Sequence, residues 1–534
     1  MSNLTRRHEQ TLARRGEAGY AQYRIPALAV TNAGTVLAAY DGRPNLDDLP
    51  SPIDLLVRRS HDSGATWGPQ DVVRTGSGLQ GFGDPALLVD RATGRIFLFH
   101  AAGTLAGFFE AVEGLQPEER VQHVDVSVSD DDGATWSHRR LTSQLKRPGI
   151  TGIFAASGAG LWVPTGPFAG RLVVPVVLLD RGEITAAAAF SDDHGEAWTL
   201  GSPVGAGTNE SAIAALPDGS LLLHSRATPA RLAAVSHDGG ASWSTPVPMP
   251  GLPDPSDNGS LLALGAPIDR DGGRPPVASP SALLISSNLD PELRRNTALS
   301  LSPDGGRTWP HQLVVCEGSS GYSCAAELPD GRIGVLYERQ GYTEIVFASV
   351  SRAELEAAGP ADGRQSGVVP PGEPTLEVIL RSVTPGLPDE WVHVGEHHVY
   401  PMETGGVDAS AWKEVGQGYA AAGGMILGTR EAQLLNYGRP RPGLRAGDIL
   451  AFHVRVRLPE RVAADGVVLE HPGGATLPVD LPPGGRAVFG APYPALTVSD
   501  ADIAAGELTA RFAVPALGLE RQLRFSTATG ALLP

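Results

Sequence analysis

Cysteine is almost missing from this chain: Cys316 and Cys324 are the only two among 534 residues. Two thiols supply neither a zinc-type spacing nor a disulfide framework. They read as partly buried thiols and leave the redox compartment open. Long apolar runs are missing as well. Stretches such as Leu172 to Leu179 fall far short of the ~20 residues that a membrane helix needs, so no membrane insertion is expected. Met1 to Gly19 is polar and basic and lacks the apolar core of a secretory signal. Net positive charge is lacking too. The formal charge is −17, which argues against nucleic acid as a partner, because phosphate binding needs a basic face.

Turn formers, by contrast, are abundant. The chain holds 66 glycines and 45 prolines, while charged residues make up only 19%. Spread along the whole length, these favour many short strands over long helices. The length suggests two or three domains.

One pattern, Ser-x-Asp-x-Gly-x-(Thr/Ser)-Trp, recurs five times. It spans Ser60 to Trp67, Ser129 to Trp136, Ser191 to Trp198, Ser236 to Trp243 and Ser302 to Trp309. The third copy is weaker, with Ala197 in place of the hydroxyl residue. Five of the eight tryptophans lie in it. Asp and Ser side chains bond nearby backbone N–H groups and Gly supplies positive φ, which together make a tight hairpin turn. The tryptophan is expected to pack back onto that hairpin and anchor it. Such aspartates look like ligands but read as turn formers. The copies lie 45 to 69 residues apart, counted between Asp62, Asp131, Asp193, Asp238 and Asp304. A β-propeller blade takes about 40 to 50 residues, so residues 20 to about 350 amount to six blades.

The expected fold is therefore all-β: a six-bladed β-propeller over 1–352, a linker over 353–374 and a β-sandwich over 375–534. The linker opens with a short helical turn, Ala353-Glu354-Leu355-Glu356-Ala357-Ala358, and then turns Gly/Pro-rich. In the last part, Ile449 to Leu458 and Leu508 to Val514 alternate as half-buried strands do. Thr497 to Thr509 looks like the closing strands of an immunoglobulin-like module. Trp391 and Trp412 read as core residues, with glycan platforms as the alternative.

Tyr23-Arg24-Ile25-Pro26 places an arginine inside an apolar strand-like run. Read alone, Arg24 is either a surface ion pair or a guanidinium awaiting an anion. With the repeats in view, the four residues resemble the (Y/F)RIP motif of exo-α-sialidases, and the repeat resembles the Asp box of that family. The likeness extends over about residues 20 to 345. It takes in Tyr40-Asp41-Gly42-Arg43-Pro44 with Asp47-Asp48, Gly83-Asp84-Pro85, Phe154 to Gly158, Ala169 to Leu172, Asn209-Glu210-Ser211, Leu216 to Gly219, Ser225-Arg226, Gly321-Tyr322-Ser323 and Leu336-Tyr337-Glu338.

The resemblance implies a set of roles. Arg24, Arg226 and a third arginine would hold a sugar carboxylate. The third is Arg295 in preference to Arg294, both in Leu293-Arg294-Arg295-Asn296-Thr297. Tyr322 would be the nucleophile, Glu210 its base, and Glu338 the carboxylate that orients Arg24. Asp48 is preferred to Asp47 as general acid, on a proline-flanked loop from Pro44 to Pro52. Asp84 would contact substrate. The chemistry fits these types: arginine's planar fork suits a carboxylate, and a tyrosine can approach an anionic sugar that would repel a carboxylate nucleophile.

The expected activity is retaining hydrolysis of terminal α-ketosidic sialic acids from glycoconjugates, with no metal or organic cofactor. Two alternatives stay open: an enzyme for a related 2-keto sugar acid such as Kdn, or a trans-sialidase, on the same site; and a non-catalytic glycan-binding propeller. Linkage preference, oligomeric state and cellular location are not legible.

Overall fold

The computed structural model describes residues 8–76, 80–265, 282–361, 372–384 and 441–534 except 473, 475 and 490–493. It also gives the backbone of five short strands between 391 and 428. Six antiparallel blades surround an axis. Blade 1 runs Gln22–Val30, Val36–Arg43, Asp54–Ser60, Asp71–Arg74; blade 2 runs Gly81–Val89, Ile96–Gly103, His123–Ser129, Ser137–Arg140. Blade 3 is built on Ile150–Ala155, Leu172–Asp180, Glu183–Ser191 and Thr199–Leu200, and blade 4 on Ser211–Ala215, Leu221–Ser225, Ala230–Ser236 and Val247–Pro253. Blades 5 and 6 share the long strand His311–Glu327. Its first half is the outer strand of blade 5, beside Arg295–Ser302, and its second half is the inner strand of blade 6, beside Ile333–Arg339.

The ring is closed from the other end of the chain. His8–Arg14 pairs antiparallel with Glu344–Val350 and supplies the outer strand of blade 6. This explains why the repeat stops at Trp309. Each copy forms the turn between the third and fourth strands of a blade, and in blade 6 those strands are not consecutive in sequence, so no turn joins them.

The five turns are near copies of one another. In the first, the Ser60 hydroxyl donates to Asp62 Oδ1 (2.8 Å), and Asp62 in turn accepts from the Thr66 N–H (2.8 Å) and hydroxyl (2.6 Å). Ser63 and Gly64 both take positive φ. The tryptophans fold back onto their own hairpins, as Trp198 does by donating its indole N–H to the Gly195 carbonyl (3.0 Å), and they reach the neighbouring blade as well. Trp67 meets Phe347 of blade 6 edge-on at 5.1 Å, Trp198 meets Phe99 of blade 2 at 5.0 Å, and Trp309 in blade 5 lies 5.6 Å from His224 of blade 4. The box glycines also sit against the neighbouring blade, where a Cβ on Gly64 would come within 2.3 Å of Phe347. The ring therefore wedges between blades.

Downstream, the helix Arg352–Ala357 is capped by Ser351 and Glu354. A β-sandwich follows. One sheet holds Thr375–Thr384, Ile449–Arg457, Arg486–Phe489 and Ala495–Thr497; the other holds Thr476–Leu481, Ala464–Glu470, Glu507–Val514 and Leu519–Ser526. Leu380, Phe452, Val454, Leu469, Phe512 and Phe525 fill the space between. Within Thr497 to Thr509 the chain forms a capped helix, Asp500–Ala505, before the next strand begins. Ile449–Arg457 alternates as expected, yet both faces are buried. Its apolar side chains enter the sandwich core, while Arg455 reaches Asp290 (2.8 Å) and Glu292 (3.2 Å) of the propeller. Trp391 and Trp412 each begin a strand, and their side chains lie outside the described residues.

Candidate active site

The inner strands of blades 1, 2 and 6 are distorted where they carry candidate site residues. In blade 1 the pairing of Gln22–Val30 with Val36–Arg43 slips between Arg24 and Ala27. Ile25 there adopts φ +62°, a conformation costing about 1–3 kcal/mol for a β-branched residue. The distortion turns the Ile25 N–H to Glu338 Oε1 (2.9 Å). Blade 2 repeats the device at Gly83-Asp84-Pro85, where Asp84 has φ +61° and the register slips again. Blade 6 slips between Ser320 and Ser323, around Tyr322.

Glu338, fully buried, fixes three groups. It takes Arg24 through Nε (3.0 Å) and Nη2 (3.3 Å), and it accepts the N–H of Ile25 and that of Tyr322 (3.0 Å). A Cβ on Gly321 would lie 2.3 Å from Glu338 Oε2, so only glycine fits before Tyr322. Removing one partner of such a buried pair costs about 3–5 kcal/mol.

Tyr322 is buried, and its hydroxyl donates to Glu210 Oε2 at 2.5 Å. Burial pushes the phenol well above its ordinary pKa, against the opposing charge of Arg226, so the resting group is neutral and hydrogen-bonded to its acceptor. Glu210 and Arg226 are brought together by the first two strands of blade 4, whose ends meet through the Arg226 N–H and the Glu210 carbonyl (2.9 Å). The Arg226 guanidinium bonds both the Glu210 carboxylate and the Tyr322 oxygen. The guanidinium carbons of Arg24, Arg226 and Arg294 stand 5.3, 5.9 and 5.4 Å from the centre of the Tyr322 ring. Three cations thus surround one phenol.

The third of these is Arg294, where Arg295 was expected. Arg295 turns away to Asp290 (2.7 Å) and to Glu377 of the sandwich (2.9 Å). Arg294 is held by Asp257 (3.3 Å), the Ser256 carbonyl (2.8 Å) and the Tyr342 hydroxyl (3.0 Å). The backbone is the cause: Asn296 has φ +58°, and the register shifts between Arg295 and Thr297.

Asp47 and Asp48 part company on the loop after blade 1's second strand. Asp47 is buried and bonded to the Asn45 amide (2.7 Å), and burial, with Asp48 adding to it, pushes its carboxyl up to about 8. Asp48 keeps 52% of its side chain exposed and accepts from Arg43 Nη1 (2.7 Å). Arg43, fully buried, also grips Asp41 (2.7 Å), and Asp41 accepts the Asp84 N–H (3.2 Å). Burial first, then the neighbouring Asp41 and Asp48, holds the Asp84 carboxyl well above the usual range. The charge of Asp48 also acts on Arg24, so the loop faces the arginine cluster. Sequence reasoning assigned no part to Arg43, Asp257 or Tyr342. Arg43 lies in the Tyr40 to Pro44 motif, while Asp257 and Tyr342 carry no local signal.

A six-bladed propeller with a buried tyrosine–carboxylate dyad ringed by arginines defines the class. Residues 34–335 match the BNR repeat-like domain, and the chain belongs to that family. It is 42% identical over 339 residues to a sialidase of Micromonospora viridifaciens, covering 62% of this chain and 52% of that one. To a sialidase of Bacteroides fragilis it is 31% identical over 360 residues, covering 64% of each. The solved Hadza microbial sialidase Hz136 superposes with a TM-score of 0.58 at 31% identity, over 65% of this chain and 69% of that one. The chain thus spans about half the length of the Micromonospora relative and under two thirds of the Bacteroides one.

Proposed function

We propose that this protein is a retaining exo-α-sialidase acting on terminal sialic acids of glycoconjugates. The observation that carries the reading is the Tyr322–Glu210 contact at 2.5 Å inside the ring of Arg24, Arg226 and Arg294. The catalytic part would be 1–352, with 353–374 a linker and 375–534 an accessory sandwich. The named relatives are sialidases, which supports the same substrate class.

The substrate's carboxylate lies on its anomeric carbon and would be taken by the three guanidinium groups. A carboxylate nucleophile beside it would be repelled by about 4 kcal/mol at ~4 Å and an effective dielectric of about 20. The phenol avoids this. Tyr322 Oη attacks the anomeric carbon while Glu210 takes its proton, and Asp48 protonates the departing glycosidic oxygen. In the second half Asp48 removes a proton from water, the water oxygen bonds to the anomeric carbon, and Tyr322 leaves and regains its proton from Glu210. Two displacements give retention.

The test is release of methylumbelliferone from its sialoside. Tyr322→Phe is expected to lower kcat about a thousandfold with the melting temperature unchanged; near-wild-type turnover in that variant would refute the nucleophile. A pure glycan binder has no need of the dyad, and wild-type protein that binds but releases nothing from either the sialoside or a Kdn glycoside would return the reading to that alternative.

A further inference from the structure

The accessory sandwich reaches the arginine cluster. Its first strand, Thr375–Thr384, packs against the turn joining Ile333–Arg339 to Glu344–Val350 through Leu380 and Ser382. That turn is unusual: Gln340, Gly341 and Tyr342 all have positive φ. It is held from below, because Ser319 Oγ donates to the Leu380 carbonyl (2.5 Å) and accepts the Gly341 N–H (3.0 Å). The contact leaves no space, since a Cβ on Gly341 would come within 2.9 Å of the Leu380 side chain.

Tyr342 is the residue this arrangement presents. It is buried, and it touches two of the three arginines in different ways. The Arg24 guanidinium lies 4.2 Å from its ring centre, and Arg294 Nη1 donates to its hydroxyl (3.0 Å). The same hydroxyl accepts from Arg381, a buried residue of the sandwich strand, whose guanidinium also stands 5.0 Å from the ring. A phenol oxygen can take two N–H donors. Here one comes from the propeller and one from the sandwich.

We infer that Arg381 is a positioning residue: acting through Tyr342, it fixes Arg24 and Arg294 in the geometry that receives a carboxylate, so that the sandwich completes the binding site. This rests on the proposed reading of the arginines as carboxylate ligands. Arg381 is not expected to touch substrate.

The full chain is compared with Arg381→Ala, Arg381→Lys, Tyr342→Phe and Arg15→Ala. Arg15 also joins propeller to sandwich, through the Gly443 carbonyl (2.8 Å) and Asp448 (3.2 Å), without touching Tyr342 through its side chain. The probes are turnover of the methylumbelliferyl sialoside and calorimetric Kd for a 2-deoxy-2,3-didehydro sialic acid. Arg381→Ala is expected to raise KM and Kd about tenfold, as for a lost charge-assisted hydrogen bond, with kcat within about threefold. Tyr342→Phe, which keeps the ring and loses the oxygen, should follow it, and Arg381→Lys should recover much of the loss. Arg15→Ala should leave KM and Kd unchanged. An Arg381→Ala protein that binds within about twofold of wild type overturns the inference, as does an equal loss in Arg15→Ala, which would make the effect one of general packing. If Arg381→Ala does not fold, Tyr342→Phe decides alone: an unchanged Kd there overturns it. Wild-type protein that neither binds nor hydrolyses overturns both this inference and the functional reading, whereas an active wild type beside an indifferent Arg381→Ala sinks only this one.

Discussion

Two adjacent arginines in blade 5 serve different ends. Arg294 faces the phenol; Arg295 pairs with Asp290 and Glu377 and ties the propeller to the sandwich. Arg294→Ala is therefore expected to raise KM for the sialoside by about ten- to a hundredfold with little change in melting temperature. Arg295→Ala should leave KM within about threefold and destabilise by about 1–3 kcal/mol, because two carboxylates lose a partner. Steady-state kinetics and thermal melts on the same preparations separate the two, and a reversed pattern would contradict the assignment. The sequence could not have made this choice. Neighbouring residues on a strand point to opposite faces, and the face here depends on the left-handed Asn296 and the slipped register beside it. Arg24, Glu210, Arg226, Tyr322 and Glu338 were legible because each sits in a short motif. Asp257 and Tyr342 were not, because their contacts are made only when distant segments meet.

At the scale of elements, the repeated turns were the clearest feature of the sequence. Their hydrogen bonds are local, running from Ser to Asp to a hydroxyl within eight residues, so spacing alone reports them. Their tryptophans were legible only in part: the bond of Trp198 to its own turn is local, whereas further partners, such as Phe347 and His224, belong to other blades. The third turn offers a direct test of the local part. Ala197 gives Asp193 only backbone bonds, at 2.9 and 3.2 Å, where the first two copies add a hydroxyl at 2.6 Å. Ala197→Thr should restore it and stabilise the protein by about 0.5 kcal/mol. A melting temperature at or below wild type would show that the hydroxyl adds nothing.

For the whole molecule, acid and base act on different parts. The box carboxylates Asp62 and Asp131 are held down to about 2, chiefly by the hydroxyl and N–H groups of Thr66 and Thr135. Stability that they contribute is present above the ordinary aspartate value and is lost only as pH falls toward 2. Asp47 behaves oppositely. Burial raises its carboxyl from 3.8 to about 8, so between those values the folded chain holds a proton that the unfolded chain has released. Its contribution therefore declines as pH climbs through that window. Asp47→Asn, which cannot ionise, should lose less melting temperature between about pH 5 and pH 8 than wild type; parallel slopes would rule this out.

The pairing of His8–Arg14 with Glu344–Val350 also dictates an order of events. During synthesis the first strand leaves the ribosome with no partner to zip to, and none exists until the sixth blade has been made. Any fragment that stops short of Glu344 must carry two bare edges, the kind of surface that pairs with a second chain. Closure of the ring thus waits for its sixth blade, and a segment made before all six is the bolt that performs it.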